Sequence, residues 1–240
     1  MTSPYQVDSI ESMTLEKVSF SYEGSQSLFV DFSLDVPVNK IIRLVGQAGG
    51  GQSTLLKLLA VLLRPTSGRY LMNGSDTTEM SFEEFLPFRK KIGFTFDYGG
   101  LFANRTLREN ISLPLMYHKI YPREEIDEKV NRYISEFRFS TQADLRPASV
   151  SGGLRKLVCL LRALIAEPEM LVMDDPFTGL DVESAHRIIE QIQNRRSQGG
   201  LKHVFFSSRD EVYPKRLGYE SLCIGEGGVV DAENGERVAA

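Results

Sequence analysis

The chain has 240 residues, 42% of them hydrophobic and 25% charged, which suits one α/β core carrying a smaller helical insert. A net charge of −4 excludes the basic footprint of a general nucleic-acid binder. No run approaches 18 apolar residues and Met1–Tyr5 has neither the basic region nor the apolar core of a signal peptide, so no membrane span is expected and any membrane role must come through a partner.

Residues 1–12 are polar and read as a frayed end. From Met13 to Tyr22 the pattern alternates loosely, Glu23–Ser27 reads as a turn, and Leu28–Val36 alternates again, which predicts an antiparallel flap. Tyr22 lies at its tip, either as a packing residue or as a flat ring able to stack on a nucleotide base.

Ile41–Val45 is a short apolar run that ends in the glycine-rich segment Gly46-Gln47-Ala48-Gly49-Gly50-Gly51-Gln52-Ser53-Thr54 and reopens with leucines at helical spacing. This is the strand, loop and helix layout of a phosphate-binding P-loop, G-x-x-x-x-G-K-[ST]. Gly46 and Gly51 hold the glycine positions and Ser53 the hydroxyl, but Gln52 stands where the lysine belongs. Gly46, Gly49, Gly50 and Gly51 would let backbone N–H groups wrap an anion, and the helix N-terminus adds positive potential. Ser53 would ligate Mg²⁺ and Thr54 would reach a phosphate oxygen. Losing the ammonium replaces a charge-assisted bond of roughly 1.5–3 kcal/mol by a neutral one of about 1, which weakens nucleotide binding without abolishing it.

The helix from Ser53 to about Leu63 is expected to stop at Arg64–Gly68, followed by a strand over Arg69–Met72 and a tight turn at Asn73-Gly74. After Ile92–Phe96 and the pair Gly99-Gly100, helical character runs to about Ser140, and Arg123–Lys129 reads as a solvated helix face. Ser151-Gly152-Gly153 opens a helix buried along Leu157, Leu160, Leu161, Leu164 and Ile165. Met170–Met173 is an apolar strand ending in Asp174-Asp175, where α/β sheets place ligands. Cys159 and Cys223 lie in apolar runs and read as buried free thiols.

Together these segments resemble the nucleotide-binding subunit of an ABC transporter, from about residue 13 to 231. Gly46–Thr54 resembles Walker A, Ser151-Gly152-Gly153 the LSGGQ signature, and Leu171–Asp181 the Walker B strand running into the D-loop. The resemblance implies an α/β P-loop NTPase core with an antiparallel β flap and a helical signature-motif subdomain: core and flap over about 13–96 and 166–235, helical subdomain over about 97–165. Phe94–Phe102 with Leu107–Leu115 is similar to the Q-loop region of the Mla/Mce lipid-transport ATPases.

The sequence departs from the family at four catalytic positions: Gln52 for the Walker A lysine, Asp97 for the Q-loop glutamine, Asp175 for the glutamate that polarises water, and Arg209 for the switch histidine. Asp174 can still hold Mg²⁺, and Ser151, Gly152 and Gly153 suffice to cap a γ-phosphate in a partner's site, since the family dimerises head to tail. Arg209 could return the missing positive charge and Asp97 could coordinate Mg²⁺. The resemblance therefore implies an ATP- and Mg²⁺-binding subunit with weak or no hydrolysis, at the cytoplasmic face of a membrane through a permease, as a homodimer or paired with an intact ATPase. A soluble regulatory or scaffold protein that kept the fold is the alternative.

Overall fold

The structure, a computed structural model, describes residues 7–119, 121–225 and 228–231. Two sheets face the P-loop helix from opposite sides. The first is antiparallel, in the order β2-β1-β4-β5, from β1 (Met13–Phe20), β2 (Phe29–Asp35), β4 (Ser67–Met72) and β5 (Ser75–Asp76). The second runs β10-β9-β3-β8-β7-β6, from β3 (Ile41–Gly46), β6 (Ile92–Thr95), β7 (Met170–Asp174), β8 (His203–Ser207), β9 (Glu220–Gly225) and β10 (Gly228–Asp231). It is parallel except for the antiparallel β9–β10 pair, so the sheet is mixed.

The centre of this sheet is buried on both faces, as parallel strands covered by helices must be. Every residue of β7 is buried, and its side chains divide by alternation. Met170 and Val172 join the core shared with α1 (Gln52–Leu59) and the flap, where Leu55, Leu56, Leu58 and Leu59 meet Leu15, Val18 and Phe29. Leu171 and Met173 face the opposite core, shared with α3 (Leu107–His118), α5 (Gly152–Ile165) and α6 (Val182–Ser197). Beside α3 and α5 packs α4 (Arg123–Glu136), whose acidic and basic first turns are solvated while Ile126, Val130 and Ile134 turn inward. The buried spacing expected of α5 is met at Leu157, Leu160, Leu161, Leu164 and Ile165.

Several expectations need correction. The segment from Val7 to Ser12 is docked instead of frayed: Ile10 is buried, the Glu169 carboxylate accepts from Ile10 N at 3.0 Å, and Asn73 Oδ1 accepts from Glu11 N and Ser12 N. Residues 1–6 of the expected frayed end, 120 of the expected helical subdomain, and 226–227 and 232–235 of the expected core lie outside the described residues. The P-loop helix ends at Leu59, not Leu63, because Val61 takes a left-handed φ of 51° that reverses the chain. The flap continues into β4 and β5, beyond the P-loop. Helix α2 (Phe82–Arg89), in a segment with no element expected, starts at the Ser81–Glu84 capping box and holds Pro87 near its far end. Cys159 is buried, Cys223 only half-buried, and both are free.

Candidate functional site

The glycine-rich loop leaves the C-terminal end of β3 and enters α1 through Gly51, whose φ of 100° belongs to the left-handed region. A Cβ there would sit 2.7 Å from Phe29 Cζ, so conformation and close approach both require glycine. Beneath the loop, Ser53 Oγ donates to Asp174 Oδ1 at 3.0 Å and Ser207 Oγ donates to the same oxygen at 2.7 Å. The hydroxyl at the head of the P-loop helix and the carboxylate at the end of β7 are therefore already in register.

Gly46, Gly49, Gln52, Ser53, Asp174, Asp175 and Arg209 line one cavity of about 600 Å³, together with Arg43, Ser207, Ser208 and Glu211. Gln52 Nε2 donates to Gln47 O at 3.1 Å, closing the loop on itself where a lysine would reach outward. Gly50 and Gly51 belong to the same loop but do not line this cavity. Thr54 is buried and its hydroxyl lies 3.0 Å from Tyr22 Oη. The Tyr22 ring stands edge-on to Phe20, 4.9 Å between centroids, and is exposed at the loop, so Tyr22 both packs and reaches the phosphate-binding segment.

The substituted positions gather on the other wall. Asp175 takes a left-handed φ of 45°, donates its N–H to Ser207, and accepts from Arg209 N at 3.1 Å through Oδ1. Its Oδ2 is buried without a hydrogen bond, with Arg209 Nε at 4.0 Å. Arg209 also lies 3.6 Å from Asp97 Oδ2, and Lys156 lies 3.2 Å from Asp97 Oδ1. Asp97 is thus held between two cations. Sequence reasoning missed Lys156, which sits on the otherwise apolar face of α5 just after the signature; an ionisable residue at a buried helical position was the available signal. It also missed Arg43, whose Nη atoms donate to Tyr219 Oη and Ser208 O and which looked like an alternating residue of a strand.

The signature lies elsewhere. Ser151 caps α5 by accepting from Leu154 N at 3.2 Å, with Gly152 and Gly153 in the first turn. Ser151 and Gly153 line a separate groove with Gly179 and Asp181, and none of that groove's residues lines the loop cavity.

The donors present fit Mg²⁺ carried in with a phosphate ligand. Among the described residues no three His, Cys, Asp or Glu side chains form a metal cage, while Ser53 and Asp174 converge beside the loop. Mg²⁺ is commonly held by one or two protein oxygens plus substrate phosphates, and Ser53 and Asp174 would supply the protein share.

Fold and loop define a P-loop ATP-binding cassette. Residues 29–178 match the ABC transporter family. Methionine import ATP-binding protein MetN 3 of Pectobacterium atrosepticum is 30% identical over 95% of this chain and 66% of its own length. Sulfate/thiosulfate import ATP-binding protein CysA of Thermosynechococcus vestitus is 37% identical over 71% of this chain, which spans 49% of that protein. ABC transporter ATP-binding protein YtrE of Bacillus subtilis is 34% identical over 79% of this chain and 82% of its own length. Among solved structures, the dimeric post-hydrolysis ATP-binding cassette MJ0796 bound to ADP and Pi superimposes with a TM-score of 0.80 over 95% of this chain and 99% of that one, at 24% identity, a likeness of fold. The chain belongs to the ABC transporter family. Among its described residues, no helix is long and apolar enough to cross a membrane.

Proposed function

We propose that this chain is an ATP-binding subunit of an ABC transporter that takes up Mg-ATP and turns it over slowly or not at all. The observation that carries this reading is the pairing of Ser53 with Asp174 at 3.0 Å beneath an intact glycine loop, beside an Asp175 carboxylate tied to Arg209. The first arrangement serves binding. The second withholds the base. Asp175 is also one methylene, about 1.5 Å, shorter than glutamate, and a misplacement of about 1 Å can cost on the order of a hundredfold in rate.

Within the proposal, Gly46, Gly49, Gly50 and Gly51 cradle the phosphates, Thr54 and Tyr22 support the loop and base, and Ser53 and Asp174 hold the Mg²⁺ that neutralises phosphate charge. Arg209 supplies a cation at the γ-phosphate edge, and Asp97 is a Mg²⁺ ligand only after release from Lys156 and Arg209. Because Ser151, Gly152 and Gly153 lie away from the loop cavity, they serve the facing subunit of a head-to-tail dimer, a second copy or an intact ATPase. The described residues of about 13–96 and 166–235 make up core and flap, and those of about 97–165 the helical subdomain that transmits occupancy to a membrane permease from the cytoplasmic side. The names of MetN, CysA and YtrE lend no support to the lipid-transport subgroup, so the proposal stops at permease coupling.

Calorimetric titration with Mg-ATP alongside a phosphate-release assay tests this. The expected result is saturable binding in the high micromolar range or weaker, about thirtyfold below a lysine-bearing loop, with release near background. Robust turnover lost in Arg209→Ala would overturn it in favour of a rewired active site, and absence of binding would leave the scaffold reading.

A further inference from the structure

A second concave site lies where the core meets the helical subdomain. A cavity of about 140 Å³ opens between the end of α2, β6, α3 and α5, lined by Arg89, Lys90, Phe94, His118 and Arg162 among others. No carboxylate lines it, and among the described residues Arg89, Lys90 and Arg162 form no ion pair. Arg89 Nη2 donates to Val61 O at 3.0 Å while its guanidinium covers the Phe85 ring, and Arg162 Nη2 donates to Gly100 O at 2.9 Å. Each guanidinium carries five N–H donors, so one carbonyl apiece leaves most of them unused.

Partial burial of the Arg89 and Arg162 charges, with the exposed Lys90 ammonium beside them and no acidic partner, is unfavourable unless something else supplies the negative charge. Burial also lowers the Arg89 and Arg162 pKa values, and His118 is lowered first by burial and then by the charges of Lys90 and Arg89, which marks the positive potential there as uncompensated. This site shares no lining residue with the loop cavity.

We propose that Arg89, Lys90, His118 and Arg162 form a binding site for a phosphate group. The cavity is below the roughly 300 Å³ of ordinary small-molecule pockets, too small for a nucleotide and adequate for one oxyanion with its substituent directed outward. A phosphate group brings a charge of about −1.5 to −2 and three acceptor oxygens, a better match to three fixed cations than a single carboxylate. Arginine presents its N–H groups in the planar fork that suits such oxygens. The phosphate can belong to an anionic lipid headgroup or to free phosphate, and the chemistry of recognition is shared.

The test uses the full chain and reads the His118 imidazole by NMR, with His186 and His203 as internal references. Inorganic phosphate should raise the His118 titration midpoint saturably, by about half a pH unit or more, because a bound anion favours imidazolium. Lys90 is exposed and makes no ion pair, so Lys90→Glu should keep the fold, checked by its melting curve, and weaken the response about tenfold or more. Phosphate entering the nucleotide loop would be unaffected by that change. Retention on phosphatidylglycerol vesicles but not phosphatidylcholine, lost in Lys90→Glu, assigns the phosphate to a headgroup; an NMR response without retention assigns it to free phosphate. No saturable shift at His118, an equal shift at all three histidines, or an equal response to acetate overturns the proposal.

Discussion

Lys156 Nζ donates to the Asp175 carbonyl at 2.8 Å, joining helix α5 to the end of strand β7 inside one chain. The same ammonium lies 3.2 Å from Asp97 Oδ1, so one side chain of α5 contacts both Asp175 at the end of β7 and Asp97 after β6. Lys156 itself is 7% exposed, whereas the Asp97 side chain is 43% exposed, and the carbonyl bond is therefore the more valuable of the two.

Lys156→Met keeps the volume and removes both contacts, leaving a buried carbonyl without its donor. The expected cost is about 2 kcal/mol, or a fall of roughly 5 °C in melting temperature for a chain of this size. Asp97→Asn should cost well under about 1 kcal/mol, because the exposed half of the ion pair is screened. Thermal melts of both variants decide the order; a Lys156→Met protein that melts with the wild type would show that the bridge contributes nothing.

Glycines separate by what surrounds them. Gly68 faces a bulge in β1, where Lys17 and Val18 together oppose one residue between the pairs Glu16–Arg69 and Ser19–Ser67. Its φ is 85° and a Cβ would lie 2.2 Å from Lys17 O, a backbone atom that cannot rotate away. Gly74 also has a positive φ, 73°, but open space around it. Gly68→Ala should cost about 3 kcal/mol or more and loosen the flap, against about 1 kcal/mol for Gly74→Ala. Equal urea midpoints for the two variants would contradict the close approach.

The docked N-terminal segment carries a pH dependence. His203 is buried, its Nδ1 accepts from Asn39 N and its Nε2 therefore holds the proton donated to Ile10 O, both at 3.0 Å. Burial lowers its pKa from 6.5, opposed by the bond to Ile10 and by Glu169, with Lys202 and Arg196 lowering it further. For a lowered histidine the unfolded chain binds the proton first. Its stability contribution is therefore complete above about pH 6.5 and is lost as pH falls through the folded value, at up to about 1.4 kcal/mol per pH unit. His118 adds a parallel effect, so the difference from His203→Gln isolates this group. Urea unfolding at pH 7.5 and about pH 5.5 should show a shallower loss in the variant; identical slopes would mean that the histidine already titrates normally.

What the sequence made legible follows from how local each signal is. The glycine loop, the strand β7 and the leucine spacing of α5 are contiguous patterns whose period or template alone places Ser53, Asp174 and Ser151. The segment before Met13 looked frayed because its anchors, Glu169, His203 and Asn73, come from three distant stretches of the chain. Lys156 was hidden for the same reason: its partners Asp97 and Asp175 lie 59 and 19 residues away.

The last prediction separates binding from chemistry in the loop cavity. Gln52 spends its amide on Gln47 O, so Gln52→Lys exchanges an internal tie for an ammonium free to reach phosphate. A gain of about 2 kcal/mol corresponds to roughly thirtyfold tighter Mg-ATP binding by calorimetry. Phosphate release should stay near background in this variant, because the Asp175 carboxylate remains short and bonded to Arg209 N. Adding Asp175→Glu and Arg209→His lengthens the base and removes the guanidinium that faces it at 4.0 Å, so the triple variant should recover measurable release if two copies close head to tail. Tighter binding with restored hydrolysis in Gln52→Lys alone would place the whole defect in the loop and remove the role assigned to Asp175.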